Sequence, residues 1–184
     1  MNIYNNSYLL TNEINKNLDK NILRFKNISI IYYNLEETDR RKYLDNCESL
    51  YKFCRKKHVP FYVTDNINLC LKYKCKGLFI TRAKSGNSYT HIKNKLHIIG
   101  KAHNQFEYNL LIKRGCKTIM LSPLFYNNKY STNNILGPIR FNLITQNWKS
   151  EISGLGGINI KNIKLTKLLK KKTSISFKSL INNL

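Results

Sequence analysis

The stretch EISGLGGINIKN, residues 151–162, contains Gly154, Gly156 and Gly157 between a short apolar run and an amphipathic segment. Glycine inside a helix or strand costs about 1 kcal/mol relative to alanine. Three glycines so close together therefore indicate a place where the backbone bends sharply or closely approaches another group. The apolar run before them predicts a strand, and Asn159 is a suitable N-cap for a helix that follows.

Short apolar runs like this one recur along the whole chain. Their lengths and their content of Ile, Val, Tyr and Phe are typical of buried strands. They cover residues 7–11, 28–33, 59–64, 76–81, 96–100, 117–123, 151–156 and 173–177. The segments between them are longer and of mixed polarity, so strand-like and helix-like segments alternate.

Several of the intervening segments have helical periodicity. In residues 39–58, apolar side chains recur at intervals of three and four, which predicts a helix with one buried face. This stripe consists of Tyr43, Leu44, Cys47, Leu50, Tyr51 and Cys54. Residues 104–115 predict a helix with Asn104 as its N-cap and Gly115 just beyond its end. Residues 66–77 likewise predict a helix that ends at Gly77.

Eight strand-like runs that alternate with helix-like segments predict parallel βαβ units. Eight is the number of strands that closes a (β/α)₈ TIM barrel, and a chain of 184 residues would form a small one. An open, doubly wound sheet is the alternative. We predict a single barrel domain over residues 1–184, with a shortened last helix, because only residues 178–184 follow the eighth run.

In a barrel, the glycine-rich stretch would be the loop after the seventh strand. The loops after strands seven and eight of such barrels often bind phosphate. Glycine lets backbone N–H groups approach an anion, and the N-terminus of a following helix adds partial positive charge. The sequence therefore predicts a phosphate site at this loop.

The formal net charge is +22, from 32 Lys and Arg against 10 Asp and Glu. It admits three interpretations: compositional bias, because Lys, Asn and Ile are abundant throughout; attraction of a phosphorylated small molecule; or nucleic-acid binding. The chain shows no RNP-like, KH-like or helix-turn-helix pattern, and most aromatic residues lie inside the strand-like runs. We therefore expect a phosphorylated small-molecule partner and no specific nucleic acid.

The apolar runs, the first residues and the cysteines indicate where in the cell the protein is expected. The chain has no uncharged apolar run of about 18 residues, so we expect no membrane span. Residues 1–17 lack the basic-then-apolar order of a signal peptide, and we expect a cytoplasmic location. The five cysteines form no CxxC pair and are expected to be reduced, buried thiols. Nothing in the sequence indicates an oligomeric state.

Four stretches together resemble the thiamine-phosphate synthase and thiazole tautomerase superfamily. That family shows a strand ending in Asn-Asp, then GVHLGQED, IGxSxH, GPxFPTxTK, AIGGI and a last strand with VSAI. The corresponding stretches here are residues 62–80, 98–138, 152–159 and 174–177. The resemblance implies a (β/α)₈ barrel. It also implies a transferase that joins hydroxymethylpyrimidine diphosphate to thiazole phosphate and releases diphosphate with the help of Mg²⁺.

The resemblance also implies roles for individual residues. Asp65 matches a metal-binding aspartate, or it is the N-cap of the next helix. Gly156, Gly157 and Ser176 match phosphate-binding positions, although Ser176 could be a buried strand serine. Two catalytic positions are implied, Lys129 as the lysine that contacts diphosphate and His103 as the histidine of IGxSxH. Either could instead have an ordinary role, Lys129 in a solvated loop and His103 at the entry to a helix.

Other positions depart from the family pattern. Residues 31–35, IYYNL, replace the polar QLREK of strand two, and Lys84 replaces the second metal-binding aspartate. The tautomerase histidine is replaced by Pro123. We expect either a divergent synthase, with a possible single-aspartate Mg²⁺ site, or a non-catalytic barrel that binds a phosphorylated thiamine-pathway metabolite. In both cases Lys84, Lys101 and Lys129 should point to the mouth, the rim where the strands end.

Overall fold

The computed structural model describes residues 7–15, 18–23, 27–83, 88–126, 134–170 and 174–177. Within them, eight parallel strands form a closed barrel in chain order. The strands are β1 (Ser7–Thr11), β2 (Ile28–Tyr32), β3 (Phe61–Thr64), β4 (Gly77–Ile80), β5 (His97–Ala102), β6 (Thr118–Leu121), β7 (Glu151–Leu155) and β8 (Ser174–Phe177).

Helices connect most successive strands and form the outer layer, whereas the described residues between β4 and β5 form turns and no helix. They are α1 (Leu18–Leu23), α2 (Arg40–Lys56), α3 (Ile67–Lys72), α4 (Gln105–Lys113), α5 (Gly137–Thr145) and a 3₁₀ helix (Ile163–Leu168). The predicted (β/α)₈ barrel is confirmed. The open-sheet alternative is excluded because β1 pairs with β8 in parallel, with Tyr8 opposite Ser176. The shortened last helix falls on residues 178–184, which lie outside the described residues.

The core has two parts because strand side chains alternate between the two faces of the sheet. The barrel interior holds one cluster: Tyr8, Leu10, Ile31, Tyr62, Phe79, Ile99, Met120 and Leu155. The larger cluster lies between the strands and the helices and includes Val63, Leu78 and Ile98. Helix α2 contributes Cys47, Leu50 and Cys54 to it, as its apolar stripe predicts.

The predicted ends of α4 are confirmed. The Asn104 side chain accepts a hydrogen bond from the Glu107 N–H, and Gly115 follows the helix with a φ of +94°. The prediction for Gly77 is wrong: α3 ends at Lys72, and the left-handed residue beyond it is Lys74. Gly77 opens β4 instead. There, a Cβ atom would lie 1.9 Å from the carbonyl oxygen of His97 on β5.

Two further expectations concern cysteines and the segment after β7. All five cysteines are free of disulfide bonds and buried, as predicted. The helix expected after Asn159 is only the short 3₁₀ helix Ile163–Leu168. The Asn159 side chain still accepts hydrogen bonds from the N–H groups of Lys161 and Asn162. No helix therefore begins directly at the glycines, and the expected contribution of a helix N-terminus there is wrong.

A directed chain of hydrogen bonds joins the amino ends of four strands. Thr118 donates its only hydroxyl proton to the Glu151 carboxylate (2.8 Å), so it accepts from His97 Nε2–H (2.8 Å). The remaining ring nitrogen, Nδ1, is then the acceptor for the Tyr62 hydroxyl (3.0 Å). Both ring nitrogens of His97 are thus used in the neutral state. Burial lowers the pKa of His97, and Lys117 and Lys76 lower it further, while Glu151 opposes them.

This lowered pKa predicts a loss of stability in acid. As the pH falls through about 6.5, the unfolded chain binds a proton at residue 97 before the folded chain does. The free energy of unfolding therefore decreases until the pH is below the folded-state pKa. Urea denaturation at pH 7.5 and at pH 5.5, roughly one unit either side of the usual histidine pKa, measures this loss. We expect the unfolding free energy to decrease less between these two pH values in His97→Gln than in the wild type. Equal pH slopes in the two proteins would contradict this account.

Candidate functional site

The carboxyl ends of the strands form one rim of the barrel, and most of the predicted site residues lie there. Asp65 directly follows β3, His103 follows β5, and Gly156 and Gly157 follow β7. Ser176 lies within β8, next to Leu155 in the sheet register. Lys129 and Lys84 lie outside the described residues.

The glycine turn is tightly packed against the loop after β6. Gly156 and Gly157 have φ values of +95° and +69°. A Cβ at Gly157 would lie 2.3 Å from the Phe125 carbonyl oxygen and 2.5 Å from that of Tyr126. In addition, the Phe125 N–H donates to the Gly156 carbonyl (3.0 Å). The turn therefore requires glycine at position 157 for steric reasons.

The turn has backbone donors that remain unused. Within the described part of the chain, the N–H groups of Gly157 and Ile158 donate to no acceptor. The Ile158 residue is buried, with 5% of its surface exposed, and buried N–H groups are rarely left unpaired. Successive free N–H groups in a turn form a concave site that suits an anion.

Two asparagines hold the other side of this turn. The Asn162 amide donates to the Gly157 carbonyl (2.7 Å), and so does the Asn159 amide (3.3 Å). The Asn162 side chain also accepts from the Asn159 N–H (2.9 Å). These contacts fix the orientation of the peptide group between Gly157 and Ile158.

The Ser176 side chain faces the barrel interior. It is fully buried, and its Oγ lies 2.7 Å from that of Ser153 and 3.2 Å from the Met120 sulfur. The hydroxyl is thus satisfied by its neighbours inside the barrel. Any contact of Ser176 with a ligand at the rim would involve the backbone of β8.

Asp65 is held by the strand next to its own. Its backbone is left-handed, with a φ of +50°, and its N–H donates to the Phe79 carbonyl on β4 (2.9 Å). The carboxylate accepts from the Thr81 N–H (3.0 Å) and from the Thr81 hydroxyl. The N-cap of α3 is Asn66, which accepts from the Leu69 N–H. The alternative in which Asp65 caps α3 is therefore excluded.

The carboxylate of Asp65 fits a limited role in Mg²⁺ binding. Each of its oxygens accepts one hydrogen bond from Thr81 and retains acceptor capacity. Among the described residues, no group of three or more His, Cys, Asp or Glu side chains could hold a metal ion. Mg²⁺ is commonly bound by one or two carboxylates together with substrate phosphates. Asp65 could supply one such ligand.

His103 is paired with an acidic residue of α4. Its Nδ1 lies 2.9 Å from Glu107 Oε2, which also accepts from the His103 backbone N–H (2.8 Å). Glu107 thereby fixes the position of the imidazole at the end of β5. Lys101 is half-buried and lies two residues after Ile99 of the barrel interior. It therefore occupies an inward-facing position at the mouth, where it was expected.

The mouth is aromatic on its β2 and β4 side. Tyr33 lies directly after β2, and its ring contacts that of Phe79 with the centroids 6.2 Å apart. Ile31 and Phe79 belong to the interior cluster, against which Tyr33 packs. The positions where the resemblance leads us to expect polar substrate contacts are thus filled by an apolar and an aromatic side chain.

Two polar residues at this rim, Thr81 and Ser122, were not among the residues predicted for the site. Thr81 positions Asp65, and the Ser122 hydroxyl would lie 3.1 Å from a Cβ at Gly156. Both are polar residues that directly follow a strand, β4 and β6. That position was the available signal, because parallel strands bring their carboxyl ends together.

Within the described ranges, no helix has the length and apolarity needed to cross a membrane.

Comparison with known proteins agrees with this architecture. A family model described as thiamine monophosphate synthase matches residues 7–176. A curated thiamine-phosphate synthase from Prochlorococcus marinus is 24% identical over 143 residues, which cover 74% of this chain. The match covers 39% of that relative, so the chain spans about two fifths of its length.

Two solved structures share the fold. Thiamine phosphate pyrophosphorylase from Pyrococcus furiosus has a TM-score of 0.72 at 16% identity, with 94% of this chain and 84% of that one covered. The YdjI aldolase from Escherichia coli has a TM-score of 0.58 at 10% identity, with 93% and 75% covered. At such low identities, the similarity concerns the fold alone.

The packing of the glycine turn predicts unequal costs for two alanine substitutions. Gly157→Ala combines left-handed strain with a collision against backbone carbonyls, and we expect it to destabilise the protein by about 2–5 kcal/mol. Gly137 is also left-handed, with a φ of +60°, but a Cβ there meets nothing within 4 Å. Gly137→Ala should therefore cost only about 1–2 kcal/mol. Urea denaturation measures both, and equal costs would show that the contact with residues 125–126 is not rigid.

Proposed function

The chain belongs to the thiamine monophosphate synthase family, and on that premise we propose that it binds thiazole phosphate at the mouth of the barrel. We further propose that it joins this ligand to hydroxymethylpyrimidine diphosphate in thiamine biosynthesis. The observation that carries the proposal is that two backbone N–H groups, those of Gly157 and Ile158, have no hydrogen-bond acceptor among the described residues. They lie on the rim where barrels of this type bind their substrates.

The proposed phosphate contact needs no metal. Hydrogen bonds from backbone N–H groups to an ionised oxygen are shorter and stronger than those between neutral groups. The turn is preorganised, because Asn162 and the 125–126 segment hold it from both sides. Little ordering of the chain would therefore be needed when the phosphate binds.

The transfer step requires charge neutralisation elsewhere at the mouth. The bond between the pyrimidine methylene and the diphosphate breaks, a bond to the thiazole nitrogen forms, and the diphosphate leaves with the electron pair. Mg²⁺, when bound by Asp65 and the diphosphate oxygens, would supply that neutralisation. The tether to Thr81 would hold the Asp65 carboxylate for this role. The inward position of Lys101 and the family match of Lys129 suggest additional positive charge.

One observation favours a second candidate, a barrel that binds the phosphorylated metabolite without turnover. Ile31 and Tyr33 occupy the inward positions of β2 and its end, and Tyr33 packs on Phe79. The polar substrate contacts expected from the resemblance are thus replaced on this side of the mouth by an apolar and an aromatic side chain. The phosphate-binding end would then be retained while the transfer chemistry is lost.

Phosphate-ester binding should survive metal removal and depend on the glycine turn. We expect isothermal titration of the wild type with thiamine monophosphate to give the same affinity with and without EDTA. Gly157→Asp should weaken binding by about 100-fold or more, because it displaces the turn and adds a like charge near two charge-assisted hydrogen bonds. The matched control Gly137→Asp adds the same charge at a left-handed position in open space and should bind as the wild type does. Loss of binding in EDTA, or undiminished binding in Gly157→Asp, would contradict the proposed cradle.

Turnover should require the Asp65 carboxylate. In Asp65→Asn, the amide can still accept from the Thr81 N–H and donate to its hydroxyl, so the fold should be preserved. We expect diphosphate release to fall by about 100-fold or more, since metal neutralisation contributes several kcal/mol, while thiamine monophosphate still binds. Wild-type activity in Asp65→Asn would show that the chemistry is misplaced. A wild type that binds the ligand but releases no diphosphate would support the non-catalytic barrel.

A further inference from the structure

A cavity of about 430 Å³ lies at the end of the barrel opposite the mouth. Its walls come from the last turns of α2, the start of β3 and the loop from α3 to β4. These segments lead into the amino ends of strands, whereas the glycine turn follows a carboxyl end. The cavity is therefore separate from the proposed phosphate turn, and its volume falls within the range of about 300–1,000 Å³ that is typical of ligand sites.

Three aromatic rings form an apolar wall of this cavity. The rings of Tyr51 and Tyr73 are stacked, with centroids 4.8 Å apart and planes at 27°. Phe61 is tilted against Tyr51 at a centroid distance of 6.2 Å. Phe61 and Tyr73 are buried, whereas Tyr51 is half-buried. A flat ring that entered the cavity would thus meet mainly the exposed part of Tyr51, which Tyr73 and Phe61 hold in place from behind, and aromatic side chains of this kind stack on any base.

Three cations stand at the rim of the same cavity. Arg55, Lys74 and Lys76 line it and are exposed, and none takes part in the ion pairs of the described residues. None of the described residues that line the cavity is a carboxylate. Two carboxylates, Glu48 and Asp45, act on Tyr73 from nearby, but neither lines the cavity, and Glu48 is paired with Lys52 at 2.7 Å. The three cations against these two nearby carboxylates leave the rim with net positive charge.

An ordinary structural role explains only part of this arrangement. Cations near the ends of helices interact favourably with the helix dipole, which accounts for Arg55 on α2 and Lys74 just after α3. Lys76 does not belong to a helix, and its N–H donates to the Phe61 carbonyl (2.9 Å), which places it beside the aromatic wall. Neither helix needs these side chains for capping, because backbone N–H groups of Val59 and Cys75 already satisfy carbonyls in the last turns.

We propose that this cavity binds an aromatic phosphate of the nucleotide class. The heteroaromatic ring would lie against the exposed part of Tyr51, and the phosphate would be held by the three cations at the rim. Charge complementarity favours the anion, since guanidinium and ammonium groups both bind phosphate oxygens. The apolar wall favours a ring over a bare phosphate ion. The proposal is independent of the function assigned to the mouth.

Isothermal titration of the full chain with adenosine 5′-monophosphate tests this proposal. We expect binding that is at least tenfold tighter than that of adenosine or of inorganic phosphate, since each of these lacks one half of the recognised chemistry. Lys74→Gly removes one cation and relieves the left-handed backbone at φ +47°, so folding is not at risk. We expect Lys74→Gly to weaken binding of the mononucleotide about tenfold. We expect the same of Tyr51→Leu, which removes the aromatic ring. Lys113→Ala removes a lysine from the last turn of α4 and serves as the matched control.

Four outcomes would overturn the proposal. The first is no binding of the mononucleotide at millimolar concentration, and the second is equal affinity for inorganic phosphate, which would indicate only surface attraction. The third is an equal effect of Lys74→Gly and Lys113→Ala, which would indicate general electrostatics. The fourth concerns Gly157→Asp, measured under conditions where circular dichroism shows that this variant is folded. Unchanged nucleotide binding there would support a location away from the mouth, whereas its loss in the folded variant would place the nucleotide at the glycine turn and refute the proposal.

Discussion

The pairing of β8 with β1 is the contact on which the rest of the molecule depends. It turns eight short parallel strands into a closed barrel in which no strand edge remains free. Closure also brings every carboxyl end to one rim. Asp65, His103 and Gly157 are far apart in the sequence, yet each follows a strand and therefore belongs to the same rim. A site made of such residues exists only because the strands are parallel and the sheet is closed.

The two ends of the barrel use their polar groups differently. At the amino end, Tyr62, His97, Thr118 and Glu151 use one another's donors and acceptors in a single directed chain. Burial and the nearby Glu151 carboxylate raise the pKa of Tyr8 in this region to about 12, which keeps its hydroxyl neutral. At the carboxyl end, backbone donors are left without partners in the described structure. Saturated polar groups stabilise a fold, whereas unsaturated ones are available to a ligand.

The fold was predictable from the sequence because its signals are local. Strand length, helical periodicity and the Asn104 cap each depend on a few adjacent residues. The errors came from contacts between distant residues. Gly77 resembles a helix stop, but the constraint on it is the His97 carbonyl of the neighbouring strand. The role of Thr81 was likewise invisible, because its link to Asp65 depends on how β3 and β4 align. The roles of Ser176 and His103 in binding or catalysis remain predictions.

The glycines show which features of the rim packing explains and which it does not. This Lys- and Asn-rich chain has only eight glycines. Seven of them lie in the described residues. Each of these seven glycines either has a left-handed φ or lies where an added Cβ would come within 3.0 Å of another atom. Left-handed backbone alone is tolerated in other residues, since His58, Asp65 and Lys74 adopt it, at about 1–2 kcal/mol each. Gly157 combines both constraints, so its contact with residues 125–126 would preserve it without any ligand. Packing does not account for the unpaired N–H groups beside it, and these are the part of the turn that a bound phosphate would explain.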